Sequence, residues 1–226
     1  MASRETMESP QHGYRGAATP PPTLQKPRGL TVAISREAGS RGGTLAATLG
    51  RALGWPVYTQ EMLDFLAHDE AARNELLADL PDAAQVWAAA QFLELVRTRG
   101  LSTTSDTAAV ARLIYVLGAR GDTVLVGRGA GFLLPIATTI HVRIIAPPND
   151  RVAYLSQWLR LTSEEAEAEV KSRDRRRAEF LSTLSDLNAG DPAGYDLVVN
   201  SARLGLEACV DLIAVAVRSK QLPDES

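Results

Sequence analysis

The stretch Val32–Gly50, VAISREAGSRGGTLAATLG, contains the features that decide the fold. It starts with an apolar run typical of a buried β-strand, passes through a loop with three closely spaced glycines, and ends in leucines at helical spacing. A strand, a glycine-rich turn and a helix in this order direct backbone N–H groups and the positive end of a helix towards one point. The stretch therefore predicts an anion site, and phosphate is the anion that this geometry suits.

This loop offers phosphate-binding groups from its backbone, its hydroxyls and its guanidinium groups. The glycines allow a ligand to approach the backbone closely, and Arg36 and Arg41 can pair with phosphate oxygens. Thr44 adds a hydroxyl that could cap the helix or reach a magnesium ion, which makes it the candidate metal ligand. The candidate nucleotide-phosphate-binding residues are Arg36, Gly39, Ser40, Gly42, Gly43 and Thr44.

The loop departs from the GxxxxGK[ST] phosphate-loop pattern at its lysine. Alignment of REAGSRGGT with that pattern places Arg36 at the first glycine, Arg41 at the second and Gly42 at the lysine. A tight turn with a purely structural role is therefore an alternative to a phosphate site. If the loop binds phosphate, arginines must supply the positive charge.

Short β-rich segments recur along the chain and are separated by stretches long enough for crossover helices. Several of them are continuously apolar, as strands covered on both faces are. This pattern predicts an α/β fold in which helices cover both faces of a parallel sheet, with ligands bound where the strands end. The segments are Leu30–Ser35, Trp55–Tyr58, Thr123–Arg128, Ile140–Ala146 and Asp196–Asn200.

Apolar residues at helical spacing between these strands predict three helix faces in the core. The residues of the first two faces are Leu45, Leu49 and Leu53, within Thr44–Leu53, and Val86, Ala90, Leu93 and Val96. The residues of the third face are Val110, Leu113, Ile114 and Leu117.

The charged segment LTSEEAEAEVKSRDRRRAEFLSTL predicts a long, exposed helix. Thr162 and Glu165 at its start have the spacing of a capping box. Arg173 and Arg177 lie one turn apart on the same face, so both guanidinium groups can converge on one anion. Ordinary surface charge is the alternative, because Glu169 and Arg173 have the spacing of an i,i+4 ion pair.

Composition and charge indicate one globular domain and exclude several classes of function. The 226 residues are 45% hydrophobic and carry a net charge of -3, which gives no general attraction to nucleic acid or anionic lipid. The single cysteine, Cys209, excludes a disulfide framework. Residues 1–28 predict a disordered tail before a domain at 29–226. Because we find neither a signal peptide nor a long apolar span, we expect a cytoplasmic protein that contacts neither nucleic acid nor membrane.

Segments of the chain between about Leu30 and Ile213 together resemble the cytidylate kinase-like family, relatives of the P-loop nucleoside monophosphate kinases. They are ISREAGSRGG, LGWPVYTQEML, VLVGRGAGFLL, HVRIIAPPNDRV, LTSEEAEAEVKSRDRRRAEF and DPAGYDLVVNSARLGLEACVDLI. The resemblance implies a three-layer P-loop kinase-like fold with a five-stranded parallel sheet and a helical lid around residues 160–190. It also implies transfer of a phosphoryl group from ATP, with Mg²⁺, to a nucleoside monophosphate such as CMP.

The resemblance also implies roles for individual residues. The loop matches the kinase loop GSGKGT except at Arg41 and Gly42. Arg128 matches an arginine that faces the monophosphate, and Tyr58 lies in the segment on the same side, so both are implied to bind substrate. Arg173 and Arg177 match the lid arginines of the family, and the charge of Arg41 or Arg173 could replace that of the missing lysine. The candidate catalytic residues are therefore Arg41, Arg173 and Arg177.

The missing lysine leaves two other functions open. One is a catalytically inactive nucleotide-binding or sensing module on the same scaffold. Gly129 favours this alternative as well, because the resembling kinases have an aspartate after the arginine that Arg128 matches. The other is a phosphotransferase for a different small hydroxylated substrate, because a fold does not determine its substrate.

Overall fold

Five parallel β-strands form a central sheet in the computed structural model, which describes residues 29–184 and 189–221. The strand order is β2-β3-β1-β4-β5, and every neighbouring pair is parallel, as predicted. The predicted tail, residues 1–28, and residues 185–188 of the predicted lid region lie outside the described residues. The strands are β1 (Thr31–Arg36), β2 (Val57–Tyr58), β3 (Thr123–Val126), β4 (Thr139–Ile145) and β5 (Leu197–Asn200).

Helices connect these strands and cover both faces of the sheet. The first five are α1 (Gly42–Leu53), α2 (Gln60–His68), α3 (Glu70–Ala78), α4 (Asp82–Arg99) and α5 (Asp106–Arg120). The others are α6 (Ala130–Leu133), α7 (Pro148–Leu159), α8 (Ser163–Leu184), α9 (Ser201–Leu204) and α10 (Leu206–Gln221). Short 3₁₀ turns occur at Ile136–Thr138 and Pro192–Gly194.

The central strand β1 is buried on both sides, which explains its continuous apolar sequence. Val32 and Ile34 pack with α1 and α10 on one face, whereas Ala33 packs with α2, α4 and α5 on the other. The predicted core face of α5 is confirmed, because all its members are buried. In α1, Leu45 and Leu49 are fully buried and Leu53, at the end of the helix, is half-buried.

The predicted core face of α4 is wrong. Val86 and Leu93 of that face are 54% and 62% exposed, whereas Trp87 and Phe92 are buried. Apolar residues occur all round this helix, so their spacing does not select one face. The aromatic side chains enter the core because they remove the most apolar area from water, and Trp87 packs edge-on against Tyr115.

Helix α8 has the predicted length and exposure, and its start has the predicted capping box. The Thr162 N–H donates to Glu165 Oε2 at 2.8 Å, and the Glu165 N–H donates to Thr162 Oγ1 at 3.3 Å. The helix packs on α7 through a small separate apolar cluster that includes Ala166 and Val170. Ala38 of the glycine-rich loop belongs to the same cluster, so α7 and α8 rest directly on the loop.

Candidate active site

The loop between β1 and α1, residues 37–41, is fixed by internal contacts. Ser40 is buried, and its hydroxyl donates to the Glu37 carbonyl oxygen at 2.8 Å. The Ser40 carbonyl oxygen accepts a hydrogen bond from the Ser201 hydroxyl at 2.7 Å. Gly39 has a φ of +80°, and a β-carbon there would collide with the main chain of Arg151. The hydroxyl of Ser40 therefore holds the turn, and the glycine is required by its backbone.

Helix α1 starts at Gly42, with Arg41 as its N-cap residue in a left-handed conformation. Of the two roles that the sequence leaves open for Thr44, capping this helix is excluded, because the two glycines before it are already helical. The Leu45 N–H bonds to the Arg41 carbonyl oxygen, so the N–H groups before it have no acceptor within the helix. Gly42, Gly43 and Thr44 thus present amide groups that have no acceptor within the helix, at the place where the sequence predicts an anion site.

Arg41 and Thr44 lie on the outer side of the loop. Both are exposed, and the Arg41 guanidinium carbon lies 5.7 Å from the centre of the Tyr154 ring on α7. Neither residue lines the cavities described next. The structure therefore separates Arg41 from the other two predicted catalytic arginines.

Two adjoining cavities lie where β1 and β3 end, and Gln60, Arg128 and Arg177 line both of them. The larger has a volume of about 410 Å³ and lies between α2 and α8, whereas the smaller, of about 220 Å³, extends towards β4. Four arginines predicted for the site, from three separate parts of the sequence, meet at these cavities. We call them the arginine cluster: Arg36, Arg128, Arg173 and Arg177.

Arg128 is held by a carboxylate and a ring. Its Nε donates to Asp64 Oδ1 at 2.6 Å and its Nη2 donates to Asp64 Oδ2, while its guanidinium group lies 4.5 Å above the centre of the Phe180 ring. Its φ of 55° is unusual for a residue with a side chain, and Gly127 and Gly129 beside it also have positive φ. The charge of Arg128 is thus already paired with Asp64, and one edge of its guanidinium group remains for a ligand.

Asp174 fastens α8 to the loop. Its Oδ1 accepts from the Ala38 N–H at 2.7 Å and from Arg177 Nη1 at 3.3 Å. Its Oδ2 accepts from Arg151 Nη1 at 2.6 Å. Arg177 also donates to the Arg36 carbonyl oxygen at 3.3 Å, and burial lowers the pKa of Arg177, partly offset by the charge of Asp174. The Asp174 carboxylate thus accepts hydrogen bonds from one loop amide and from two guanidinium groups, those of Arg151 and Arg177.

Arg173 and the arginines next to it differ in their surroundings. Arg173 is half-buried beside the larger cavity and donates from Nε to Glu169 Oε1 at 2.6 Å. This bond is the i,i+4 pair that the sequence allows, so the helix-stabilising contact and the place at the cavity occur together. Arg175 points into solvent and lies 3.8 Å from Glu179, and Arg176 is exposed at the rim of the larger cavity.

Tyr58, predicted to bind substrate, is buried in the core next to α2 and α5. It does not line either cavity beside the arginine cluster. The next residue, Thr59, caps α2, because its hydroxyl accepts from the Met62 N–H at 3.3 Å. From this segment, Gln60 lines both cavities and Glu61 the larger one.

Two carboxylates of the site, Asp64 and Asp174, were not predicted from the sequence. Their partners lie far along the chain, since Asp64 binds Arg128 and Asp174 binds Ala38. The dipeptide RD at 173–174 is the one local signal, and the helical spacing of arginines gives a role only to Arg173. Local spacing cannot reveal pairs that the fold brings together from different strands and helices.

Residues 29–184 and 189–221 contain neither a side-chain cluster for a metal ion nor a helix that could span a membrane. No group of three or more histidine, cysteine, aspartate or glutamate side chains in that part of the chain could hold a metal ion. The assignment of Thr44 as a magnesium ligand stays a prediction from the sequence. No helix among the same residues has both the length and the apolar character needed to cross a membrane.

The fold and site define an α/β protein with a glycine-rich, phosphate-loop-like turn after its central strand. Residues 31–203 match the cytidylate kinase-like family, and the chain belongs to that family. A solved structure of an uncharacterized protein from Eubacterium ventriosum has the same fold: it is 18% identical with a TM-score of 0.68, covering 85% of this chain and 99% of that one.

Two curated proteins are also similar in sequence. A cytidylate kinase from Halobacterium salinarum is 26% identical over 192 residues, which cover 85% of this chain and 91% of that enzyme. A uronate isomerase from Corynebacterium glutamicum is 30% identical over 153 residues, which cover 61% of this chain. The match spans only 30% of the length of that isomerase.

Proposed function

We propose that the protein transfers the terminal phosphoryl group of ATP to a nucleoside monophosphate of the CMP type. The observation that carries this proposal is the convergence of the arginine cluster beside the glycine-rich loop at the strand ends. Phosphoryl transfer depends on positioning and charge neutralisation more than on covalent chemistry, and guanidinium groups provide both. Membership of the cytidylate kinase-like family supports nucleotides as the substrates.

The charge balance of the two cavities taken together supports an anionic ligand. Six arginines line them, whereas five carboxylates line them or pair with those arginines: Glu37, Glu61, Asp64, Glu169 and Asp174. Burial acts to raise the pKa of Glu61, but hydrogen bonds at the start of α2 and the charges of Arg36 and Arg177 outweigh it and lower that pKa. Glu61 is therefore ionised near neutral pH, and one positive charge is left for phosphate groups to neutralise even when all five carboxylates are counted as negative.

The two phosphate-bearing substrates would occupy different parts of the site. The amides at the start of α1 would hold the ATP phosphates, with Arg41 on the solvent side and Thr44 as a magnesium ligand. Mg²⁺ usually keeps several waters and takes the rest of its oxygens from substrate phosphates, so one protein hydroxyl suits it. Arg128 would hold the monophosphate, and Arg173 and Arg177 of α8 line the same cavity as Arg128.

The proposed reaction needs no general base. An anionic oxygen of the monophosphate attacks the terminal phosphorus of ATP, a new P–O bond forms, and the bond to the bridging oxygen breaks. The products are ADP and a nucleoside diphosphate, and no proton has to leave the attacking oxygen. The cluster would stabilise the negative charge that passes between the two bridging oxygens.

The proposal is tested with purified protein, Mg-ATP and CMP, dCMP, UMP or AMP, by following ADP and the diphosphate product. We expect turnover with at least one acceptor and a fall of ~10² to 10³-fold in Arg177→Ala and Arg173→Ala, because each removes a positioned charge. The matched control is Arg175→Ala, which removes an exposed arginine of the same helix. No turnover with any acceptor, or full activity in both variants, would refute the proposal.

A nucleotide-binding or sensing module is the second candidate, and the absence of the loop lysine favours it. The pairing of Arg128 with Asp64 also suits a protein that binds nucleotide without turning it over, because a satisfied guanidinium group gains less from a reacting phosphate. Tight binding of ATP together with no product from any acceptor would establish this alternative. A different small hydroxylated acceptor is tested by extending the same assay to sugar alcohols and hydroxy acids.

A further inference from the structure

Arg36 occupies a narrow slot between two glycines at the ends of β1 and β3. A β-carbon at Gly42 would lie 2.8 Å from Cδ and 2.9 Å from Cβ of Arg36. A β-carbon at Gly127 would lie 3.0 Å from Nη1 of the same side chain. The Arg36 side chain therefore crosses Gly42 with its stem and reaches Gly127 with its guanidinium group.

Arg36 is the member of the arginine cluster that has no carboxylate partner among the described residues. Its Nη1 is buried and makes no hydrogen bond in that part of the chain. A buried charged donor without a partner is costly, and an anion in the adjoining cavity would satisfy it. The other three members are paired: Arg128 with Asp64, Arg173 with Glu169 and Arg177 with Asp174.

The charge of Arg36 persists despite this burial. Burial lowers the pKa of Arg36 to about 10, the charges of Arg177, Arg128 and Arg173 act in the same direction, and Glu61 opposes them. The guanidinium group is therefore still protonated near neutral pH. The free protein thus holds repelling cations around a cavity, and it gains most from a ligand with several negative charges.

Position 42 is where the GxxxxGK[ST] pattern has its lysine. A lysine there would place its stem in the volume that the Arg36 stem fills, so the two side chains exclude each other as the loop now stands. We propose that Arg36 supplies the phosphate-loop cation in this protein, and that Gly42 is the residue that makes room for it. The inference rests on the proposed function for the ligand class, the terminal phosphates of a nucleoside triphosphate.

The test removes the arginine at position 36, introduces a lysine at position 42, and combines the two changes. Titration calorimetry measures the binding of tripolyphosphate and of Mg-ATP, and turnover is a second readout. Arg36→Ala should bind tripolyphosphate at least tenfold more weakly, and Gly42→Lys should also lose affinity because its stem collides with Arg36. The double variant Arg36→Ala/Gly42→Lys should recover most of the lost affinity, because the lysine stem then fills the volume that the Arg36 stem leaves and its ammonium group can bind the phosphates. Arg175→Ala is the control for loss of one positive charge.

Wild-type affinity in Arg36→Ala, or a double variant no better than Arg36→Ala alone, would overturn the inference. Absence of tripolyphosphate binding by the wild type would overturn it too. If binding depends on Arg36 as expected but no acceptor turns over, the proposed transfer fails and the binding role of Arg36 stands. Circular dichroism and thermal unfolding of each variant separate loss of binding from loss of fold.

A second comparison leaves every charge in place. Gly42→Ala adds a methyl group against the Arg36 stem, whereas a β-carbon at Gly43 would have no neighbour within 4 Å. Gly42 and Gly43 are adjacent in the first turn of α1, so replacing either one by alanine reduces the backbone freedom of the chain by a similar amount. Gly42→Ala should therefore weaken tripolyphosphate binding severalfold more than Gly43→Ala. Equal losses in the two variants would contradict the claim that Gly42 makes room for the Arg36 side chain.

Discussion

At the scale of single residues, the site is marked by unfavourable backbone and side-chain environments. Arg41 and Arg128 both have positive φ, which costs a residue with a β-carbon about 1 kcal/mol or more. Nη1 of Arg36 is a buried donor without a partner in the described chain. Such costs persist only where the surrounding structure imposes them, and they cluster at functional sites. Arg128 and Arg36 both line the pair of cavities, and Arg41 lies in the adjoining loop, so these costs support an anionic ligand at this end of the sheet.

His141 on β4 predicts how stability responds to pH. Its Nδ1–H donates to the Gly194 carbonyl oxygen and its Nε2 accepts from the Ser35 hydroxyl, both at 2.9 Å. Burial lowers its pKa to about 4, although Gly194 and Asp196 act in the opposite direction. The unfolded chain takes up this proton near pH 6.5, whereas the folded protein resists it until about pH 4, so falling pH favours unfolding.

We expect the free energy of unfolding to fall by about 2 kcal/mol from pH 6.5 to 5 through this residue alone. Urea unfolding of the wild type and of His141→Gln at several pH values measures it, and the variant should show a shallower fall. The control is His68→Gln, because His68 is exposed and should leave the steep fall in place. Parallel pH profiles for the wild type and His141→Gln would contradict the assignment.

At the scale of elements, Asp174 provides the hydrogen bond from α8 to the loop, beside the apolar contacts of Ala38 with the same helix. Asp174→Ala leaves the Ala38 N–H and the largely buried Arg151 guanidinium group without this acceptor. We expect a loss of about 2 kcal/mol in the free energy of unfolding and faster hydrogen exchange of the Ala38 amide. Glu167→Ala is the control, since it breaks an exposed ion pair with Lys171 on the same helix and should change neither quantity measurably. Unchanged exchange at Ala38 would show that Asp174 does not hold α8 there.

The elements also show how far the sequence predicts this fold. The strands, α1 and α5 are predicted well because burial on both faces or along one stripe leaves a clear pattern. The buried face of α4 is not predicted well, because that helix is apolar all round and tertiary packing buries Trp87 instead of Val86. In the site, residues at strand ends and in the loop follow from local pattern. Local pattern does not predict the pairs Asp64–Arg128 and Asp174–Ala38, since 64 and 136 positions separate their members.

At the scale of the whole molecule, the strand order places β1 between β3 and β4, so the loop after β1 lies beside the ends of both. Helix α8 covers the same edge through its contacts with the loop. The chain carries a net charge of -3, yet its arginines converge at this edge. Attraction of anions is therefore a local property, and the site itself opposes folding when no anion is bound.

This arrangement predicts that polyphosphate stabilises the folded protein more than its ionic strength can explain. A ligand that binds only the folded state adds about 2.7 kcal/mol to the free energy of unfolding at a hundred times its dissociation constant. Thermal and urea unfolding with tripolyphosphate, compared with sodium chloride at equal ionic strength, measures this effect. Arg177→Ala should lose most of the gain, whereas Arg175→Ala should keep it because its guanidinium group lies in solvent. Equal stabilisation by chloride would mean that general screening of repelling charges, and not a bound anion, accounts for the effect.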